Sequence, residues 1–487
     1  MEKLSISKLN EAFIKINCDK GVAQELHLYF SFRVPGYQFV PAYKNKIWDG
    51  YIKLFSLKDF TIYRGLLPYI EKFAKERSYS LDIEDNLNVT DEFALKEATE
   101  FIETLNLPLE PRDYQIKSFV HAIRNRRMLL LSPTASGKSL IIYLLVRYFQ
   151  EIGLKRGLLI VPNISLVAQM YKDFESYGYD SLENCHTIHQ GRDKQAKKFL
   201  FISTWQSIYT QPNEYFEQFD FVIGDEAHSF KAKSLTTIMT GCISSKYRIG
   251  CTGTLDGTQT HRLVLEGLFG PVYQSTSTSE LIEKKQLADF KIKCLILKYP
   301  ELICKESKKW DYQTEIDYIV SSSKRNDFIK NLVLSLTGNT LILFQLVERH
   351  GKKLFQIIQE HAKDRHVFFV FGGTDVEVRE SVRSITEKES NAIIVASYGV
   401  YSTGVNIRNL HNIIFASPSK SRIRNLQSIG RGLRLGENKE EAVLFDIVDD
   451  FRVGKHTNYT LKHFLERVKI YDDEKFNYKF YNIEFKP

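Results

Sequence analysis

The segment Ser132-Pro133-Thr134-Ala135-Ser136-Gly137-Lys138-Ser139 constrains this chain more than any other. It follows the apolar run Met128 to Leu131 and opens a helical pattern over Leu140 to Phe149, which predicts a strand, a small-residue loop and a helix N-terminus. Backbone N–H groups of such a loop converge on an anion, and the helix dipole favours negative charge there. Lys138 can reach the β- and γ-phosphates of a nucleoside triphosphate, Ser139 can ligate Mg2+, and Thr134, Ala135, Ser136 and Gly137 supply the cradle. Ser132 stands where the phosphate-loop pattern has its first glycine.

A second apolar run, Phe219 to Ile223, leads through Gly224 into Asp225-Glu226-Ala227-His228. A carboxylate ending a strand beside the phosphate loop can hold the Mg2+ that bridges the phosphates, the role expected of Asp225. Glu226 is placed to orient or deprotonate the attacking water, and His228 to connect the site to the rest of the domain. Alone, these four residues could be a helix start whose acids complement the dipole. Their order and spacing behind the phosphate loop favour the catalytic reading.

Asp-Glu-Ala-His behind such a loop resembles the superfamily 2 helicases and translocases. Pro111-Arg112-Asp113-Tyr114-Gln115 resembles the segment in which a glutamine recognises adenine, implying nucleotide contacts from Arg112 and Gln115. Val161-Pro162-Asn163 and Ser203-Thr204-Trp205-Gln206 resemble strand-contacting elements, implying nucleic-acid contacts from Thr204 and Trp205. Thr252-Gly253-Thr254 resembles the motif that couples hydrolysis to domain movement. After about residue 290, apolar runs at Leu341 to Phe344, Val367 to Phe371, Ile393 to Ala396 and Ile413 to Ala416 predict a second parallel α/β domain. There Ser397 to Asn406 resembles the family's fifth motif, with Thr403 at nucleic acid and Gly404 at the nucleotide cleft, and Gln427 to Arg434 resembles the sixth.

Gln427, Arg431 and Arg434 fall at i, i+4 and i+7, which on a helix puts all three on one face. Two guanidiniums so placed can meet a γ-phosphate and stabilise the charge that develops in phosphoryl transfer. The plainer alternative is a solvated basic helix.

Length allows about three domains. Hydrophobic content of 43% and charged content of 26% are ordinary for a soluble globular protein. No span has the apolar length of a membrane helix and the N-terminus lacks a signal-peptide core, so the chain is expected inside the cell, in the host cytoplasm if phage-encoded. Six scattered cysteines form no C-x-x-C pair, and Cys185, His186 and His189 lack a fourth ligand for zinc.

Charge is unevenly spread. Residues 1–80 hold 13 Lys/Arg against 8 Asp/Glu, whereas 81–105 hold one Lys against eight acids. Nucleic acid should favour the first stretch and avoid the second. Within it, Tyr29 to Arg33, Gly36 to Phe39 and Tyr43 to Phe55 alternate as strands do, and Asp49-Gly50 predicts a hairpin turn. Arg33, Lys44, Lys46 and Lys53 are candidate phosphate contacts, and the aromatics read as core.

The Gly-Tyr-x-Phe segment followed by Asn-x-x-Trp-Asp-Gly, ahead of such a motor, resembles the UvsW family of recombination helicases of T4-like bacteriophages, along nearly the whole chain. The resemblance implies an α/β fold with two RecA-like parallel-sheet motor domains, a small α+β N-terminal nucleic-acid-binding domain and a short C-terminal extension. The boundaries expected are 1–80 for the N-terminal domain, 81–105 for an acidic connector, 106–280 and 290–450 for the motor domains, and 451–487 for an extension packing on the motor. It also implies ATP and Mg2+ as cofactors. The implied activity is unwinding or branch migration of branched DNA and RNA–DNA hybrids (R-loops, D-loops, forks and four-way junctions) in recombination, replication restart and repair. A monomer working with recombination or single-strand-binding proteins fits that role. An RNA helicase and a duplex-tracking translocase share the motor motifs; a clamp with a decayed ATPase does not fit the intact Lys138, Asp225, Glu226, Arg431 and Arg434.

Overall fold

Alternating apolar residues build the first sheet. Leu4 and Ile6 of β1 (Lys3–Lys8) and Ile14 and Ile16 of β2 (Phe13–Asn17) turn to one face and are buried. The structure, a computed structural model, describes residues 2–87, 90–189, 193–403, 407, 409–419, 421–435, 439 and 441–485, without the side chains of 376, 401–403, 423 and 431. A two-stranded ribbon, β3 (Ser31–Arg33) and β4 (Tyr51–Lys53), stands apart from the first sheet. That sheet is completed by β5 (Thr61–Tyr63) and β6 (Ser80–Ile83) in the order β5-β2-β1-β6, with β6 parallel to β1. Helices Lys20–Tyr29 and Leu67–Glu76 bury Leu26, Ile70 and Phe73 in the same core.

Two sequence expectations change here. Residues 34–50 do not form strands meeting at an Asp49-Gly50 hairpin; Pro35 and Pro41 interrupt the alternation, and the segment folds as a 3-10 turn (Tyr37–Phe39) and a helical turn (Pro41–Lys44). The acidic stretch 81–105 is not a bare connector. It contains most of β6, and its helix Leu95–Thr104 packs Ala98 and Ile102 among Phe119 and Ile123 of the helix Asp113–Asn125.

The second sheet holds β7 (Arg127–Leu131), β8 (Gly157–Val161), β9 (Cys185–Ile188), β10 (Leu200–Thr204), β11 (Phe221–Asp225), β12 (Tyr247–Thr252) and β13 (Val272–Gln274). All seven are parallel, in the order β13-β7-β12-β11-β8-β10-β9. β8, β10 and β12 are buried throughout, and β7 and β11 nearly so, as strands with both faces covered must be.

The third sheet is likewise parallel: β14 (Asp289–Lys298), β15 (Thr340–Phe344), β16 (Val367–Val370), β17 (Ile393–Ser397), β18 (Asn412–Phe415), β19 (Glu441–Asp450) and β20 (Asn477–Glu484), ordered β16-β17-β15-β18-β19-β14-β20. The C-terminal stretch does more than pack on this sheet: β20 is its edge strand. Helix Tyr459–Asp473 is tied down by Arg467, whose guanidinium grips Asp446 with two 2.8 Å bonds in the core.

Two compact units result, one holding most residues up to Ser275, the other holding Pro133–Ser136 and the residues from Thr276 onward. Within the first unit the N-terminal sheet and the β7–β13 sheet share one apolar core, in which Leu66 and Ile70 lie with Leu263 and Leu268. Glu11 is the polar rivet. Its backbone N–H donates to Ile243 O (3.0 Å), its backbone oxygen accepts from Arg127, and its carboxylate takes Lys8 (2.5 Å), Arg64 and Arg127 (3.2 Å). Burial works against the Glu11 charge, but the Lys8 hydrogen bond and the Arg127 and Arg64 guanidiniums outweigh it and hold the carboxyl below its usual range.

Glu11→Gln leaves buried guanidiniums without their counter-charge and should cost roughly 3 kcal/mol, read as a lower denaturation midpoint and faster proteolytic release of the N-terminal domain. Because the folded pKa is depressed, the contribution is complete above the ordinary glutamate pKa and is lost as pH falls through the folded one. An unchanged midpoint would remove Glu11 from this role.

Candidate active site

In a parallel sheet every strand ends at the same edge, and here the pairing sets which ends are neighbours. β12 lies between β7 and β11, with Thr252 opposite Leu131 and Cys251 opposite Asp225. Ser132 N–H donates to Thr252 O (2.9 Å), so the loop after β7 starts beside the end of β12. Small residues allow this. A Cβ on Gly224 would come within 2.6 Å of the Phe230 ring and 2.9 Å of Phe269, which accounts for the glycine before Asp225.

The loop then curls back. Ala135 has φ +69° and Gly137 φ +77°, left-handed conformations that turn the backbone toward a common centre. Gly137 caps the helix Lys138–Glu151, and a Cβ there would collide with Gln115 Nε2. Lys138 Nζ donates to Ser132 O across the loop (3.0 Å), and the Ser139 hydroxyl shares a hydrogen bond with Tyr177 OH (3.0 Å). Ser132 and Ser136 are buried, and Ser132 Oγ accepts from Ser275 Oγ (2.8 Å) in the place where the usual pattern has glycine. Gln115 is turned onto this loop: its Nε2 donates to Gly137 O (3.2 Å), and its Oε1 accepts from Arg112 N–H (2.8 Å). The Arg112 guanidinium donates to Tyr114 OH (3.0 Å). Thr134 is half-buried on the loop.

Asp225 ends β11, half-buried at the sheet edge. Burial, with the neighbouring Glu226 charge, pushes its carboxyl up to about 6 against the pull of Lys138 and His228. Glu226 sits in the left-handed region (φ +50°), where a residue with a Cβ is strained. Its carboxylate meets His228 Nδ1 at 3.2 Å, and the same nitrogen lies 3.0 Å from Thr252 Oγ1, which donates to Thr254 O (3.1 Å). His228 therefore links the Asp-Glu-Ala-His turn to the Thr252-Gly253-Thr254 segment. A second link had no sequence signal, because Lys231 lies 25 and 30 positions before its two partners: Lys231 Nζ and His261 Nδ1 each contact Asp256 Oδ2 at 2.5 Å.

Other expected residues are placed less directly. Thr204 is buried, its hydroxyl shared with Ser207 (2.9 Å), and Trp205 packs against the core as the first residue of the helix Trp205–Ile208. Thr403 ends the helix Tyr398–Thr403 with its side chain outside the description, and Gly404 lies outside the described residues. Gln427 and Arg431 share the helix Arg422–Gly432, where the Arg431 side chain is not described. Arg434 lies beyond that helix, so the three do not share one helical face. Gly432 ends it, and Lys439 Nζ caps the carbonyls of Gly432 and Arg434, the latter at 3.0 Å. Arg33, Lys44, Lys46 and Lys53 are exposed on the ribbon and its connection. Among the described residues no cluster of three His, Cys, Asp or Glu could hold a metal ion, and Cys185 is buried, its thiol pushed up to about 12.

Sequence comparison meets this geometry segment by segment. Residues 5–84 match the N-terminal domain of the DNA helicase UvsW, 108–257 the res subunit of type III restriction enzymes, and 323–436 the conserved C-terminal helicase domain. The ATP-dependent DNA helicase uvsW of Enterobacteria phage T4 is 35% identical, with 96% of each chain covered. This chain belongs to the UvsW family of ATP-dependent DNA helicases. It is therefore an ATP-hydrolysing helicase with nucleic acid as substrate. The crystal structure of T4 UvsW covers 99% of both chains at 32% identity and a TM-score of 0.53. The DNA 3'-5' translocase XPB2 of Sulfurisphaera tokodaii is 24% identical, over 88% of this chain and 98% of its own. No helix among the described residues is long and apolar enough to cross a membrane.

If His228 transmits between Glu226 and Thr252, His228→Ala and Thr252→Val should each lower the ATPase kcat, and the double variant should lose little more, with a coupling energy of about 1 kcal/mol. Additive losses would break the link.

Proposed function

We propose that this helicase unwinds or branch-migrates branched nucleic acids (R-loops, D-loops, forks and four-way junctions) in recombination, replication restart and repair. The observation that carries the proposal is the likeness to T4 UvsW across both the motor and the N-terminal domain, because the motor motifs alone are shared with helicases of many substrates. The N-terminal sheet shares a core with the sheet that bears Lys138 and Asp225, which supports a substrate grip coupled to the motor.

In this reading the loop from Thr134 to Gly137 cradles the phosphates of ATP and Lys138 neutralises their charge. Gln115, with Arg112, leaves its hydrogen bonds on the loop for the adenine edge. The Ser139 hydroxyl and the Asp225 carboxylate are hard oxygen donors that suit Mg2+. That ion, when bound, screens the phosphate charge. Glu226, held in its strained conformation beside His228, takes the proton of the attacking water. Arg431 and Arg434, with Gln427, complete the site when the motor domains close on ATP, and hydrolysis weakens that closure. Strand contacts by the segments around Ser203-Thr204-Trp205 and Thr403-Gly404, made alternately to the nucleic-acid backbone, turn the cycle into stepping with little sequence preference.

Glu226→Gln should retain ATP binding and lose at least a hundredfold in hydrolysis. Arg431→Ala should also bind ATP, with kcat reduced on the order of a thousandfold. Full turnover in either variant removes that residue from its role.

The likeness to a DNA translocase favours one second reading, movement along duplex without strand separation. ATPase assays with single strands, plain duplex, RNA–DNA hybrid and a four-way junction at one salt concentration decide between them, together with strand displacement. Strongest stimulation by the junction, with displaced strands, supports branch processing. Equal stimulation by plain duplex without displacement supports the translocase, and stimulation by RNA alone refutes both.

A further inference from the structure

Residues 34–50, which connect β3 to β4, form a loop closed on itself. Val34 N–H donates to Gly50 O (2.9 Å) at its neck, and Trp48 Nε1 donates to Tyr51 O (2.8 Å). Inside, Tyr37 stands edge-on to Tyr43 with ring centres 4.6 Å apart, and the Arg33 guanidinium lies 4.5 Å from the Tyr37 ring centre and 5.2 Å from that of Tyr51. Such internal packing orders a loop that has no sheet to support it. Its outer surface is nevertheless apolar: Phe39 is 78% and Ile47 79% exposed. The expectation that the aromatics here are core therefore fails for Phe39, while Tyr43 and Trp48 are only half-buried.

An open groove of about 790 Å³ runs along this loop. Tyr43, Ile47 and Trp48 give it apolar walls, and Lys44 and Lys46 give it charge. Neither lysine has an acidic partner among the described residues, whereas Asp49, also in the groove, is neutralised by Lys53 at 2.5 Å. Flat aromatic surface flanked by unpaired cations is the chemistry of stacking a base while holding its phosphates.

We propose that this groove receives an unstacked nucleobase of single-stranded DNA, with Tyr43, Ile47 and Trp48 against the base and Lys44 and Lys46 on the flanking phosphates. The proposal rests on the chain being a nucleic-acid motor and adds a site that reads single-strandedness. Stacking makes it tolerant of sequence, because every base has a π-face. It would engage the strand that an enzyme acting at a branch leaves unpaired.

The test compares oligothymidylate of about twenty nucleotides with an abasic strand of equal length, by fluorescence anisotropy on the full chain without nucleotide. Trp48→Ala should lose roughly tenfold in affinity for oligothymidylate and little for the abasic strand, and Trp48→Phe should restore it. Lys44→Ala and Lys46→Ala should weaken both probes and reduce the salt slope by about one each. Wild-type protein that binds both probes equally, or Trp48 variants that weaken both alike, would overturn the proposal; in the latter case the Nε1 bond to Tyr51 is the whole role of Trp48. Wild-type ATPase that no nucleic acid stimulates would overturn the motor reading as well. Stimulated ATPase with an unchanged probe ratio in Trp48→Ala removes this inference alone.

Discussion

Parallel pairing of β7, β12 and β11 is the constraint from which the active site follows. Because the three strands point one way and lie side by side, the phosphate loop, the Thr252-Gly253-Thr254 segment and the Asp-Glu-Ala-His turn emerge together, although about 120 positions separate Ser132 from Thr252 in the chain. The burial that makes such strands stable also extends to Asp225 and raises the cost of its charge. Lys138 and His228 offset part of that cost. Stability of the sheet and chemistry of the site are therefore set by the same low-dielectric surroundings.

Much of this was legible in the residues themselves. Continuous apolar runs before Ser132 and Asp225 marked buried strands, and the runs at 341, 367, 393 and 413 became β15 to β18. What failed did so for local reasons. The aromatic alternation of residues 36–48 has a strand's period, but the prolines and Gly36 deny it a partner strand. The i, i+4, i+7 reading of Gln427, Arg431 and Arg434 assumed a helix that continues through Gly432, and helix ends are poorly encoded by side-chain spacing. Ser132 in place of a glycine, and the glycine at 224, acquire reasons only in three dimensions, a hydroxyl shared with Ser275 and two phenylalanine rings.

Buried ion pairs define the second unit as sharply as its apolar core. Arg325 grips Asp449 at 2.8 and 2.9 Å while Tyr299 OH donates to the same carboxylate at 2.9 Å, and Arg467 and Tyr471 converge on Asp446. Both aspartates lie on β19, and their arginine partners come from helices far apart in sequence. Each carboxylate accepts a planar fork that a shifted register could not supply, so these pairs select one alignment of helices on the sheet more than they add to stability.

The order of the third sheet bears on how the protein is made. β14 is the first of its strands to leave the ribosome, yet it sits between β19 and β20, the last two. Both hydrogen-bonding edges of its ten residues stay open until β19 follows and one stays open until β20, while β15 to β18 can pair among themselves in the meantime. The nascent second unit is therefore a four-stranded sheet with an unpaired strand tethered beside it, the kind of intermediate that chaperones shield. The final strand closes the fold, and a chain truncated by a dozen residues would leave β14 permanently open on one side.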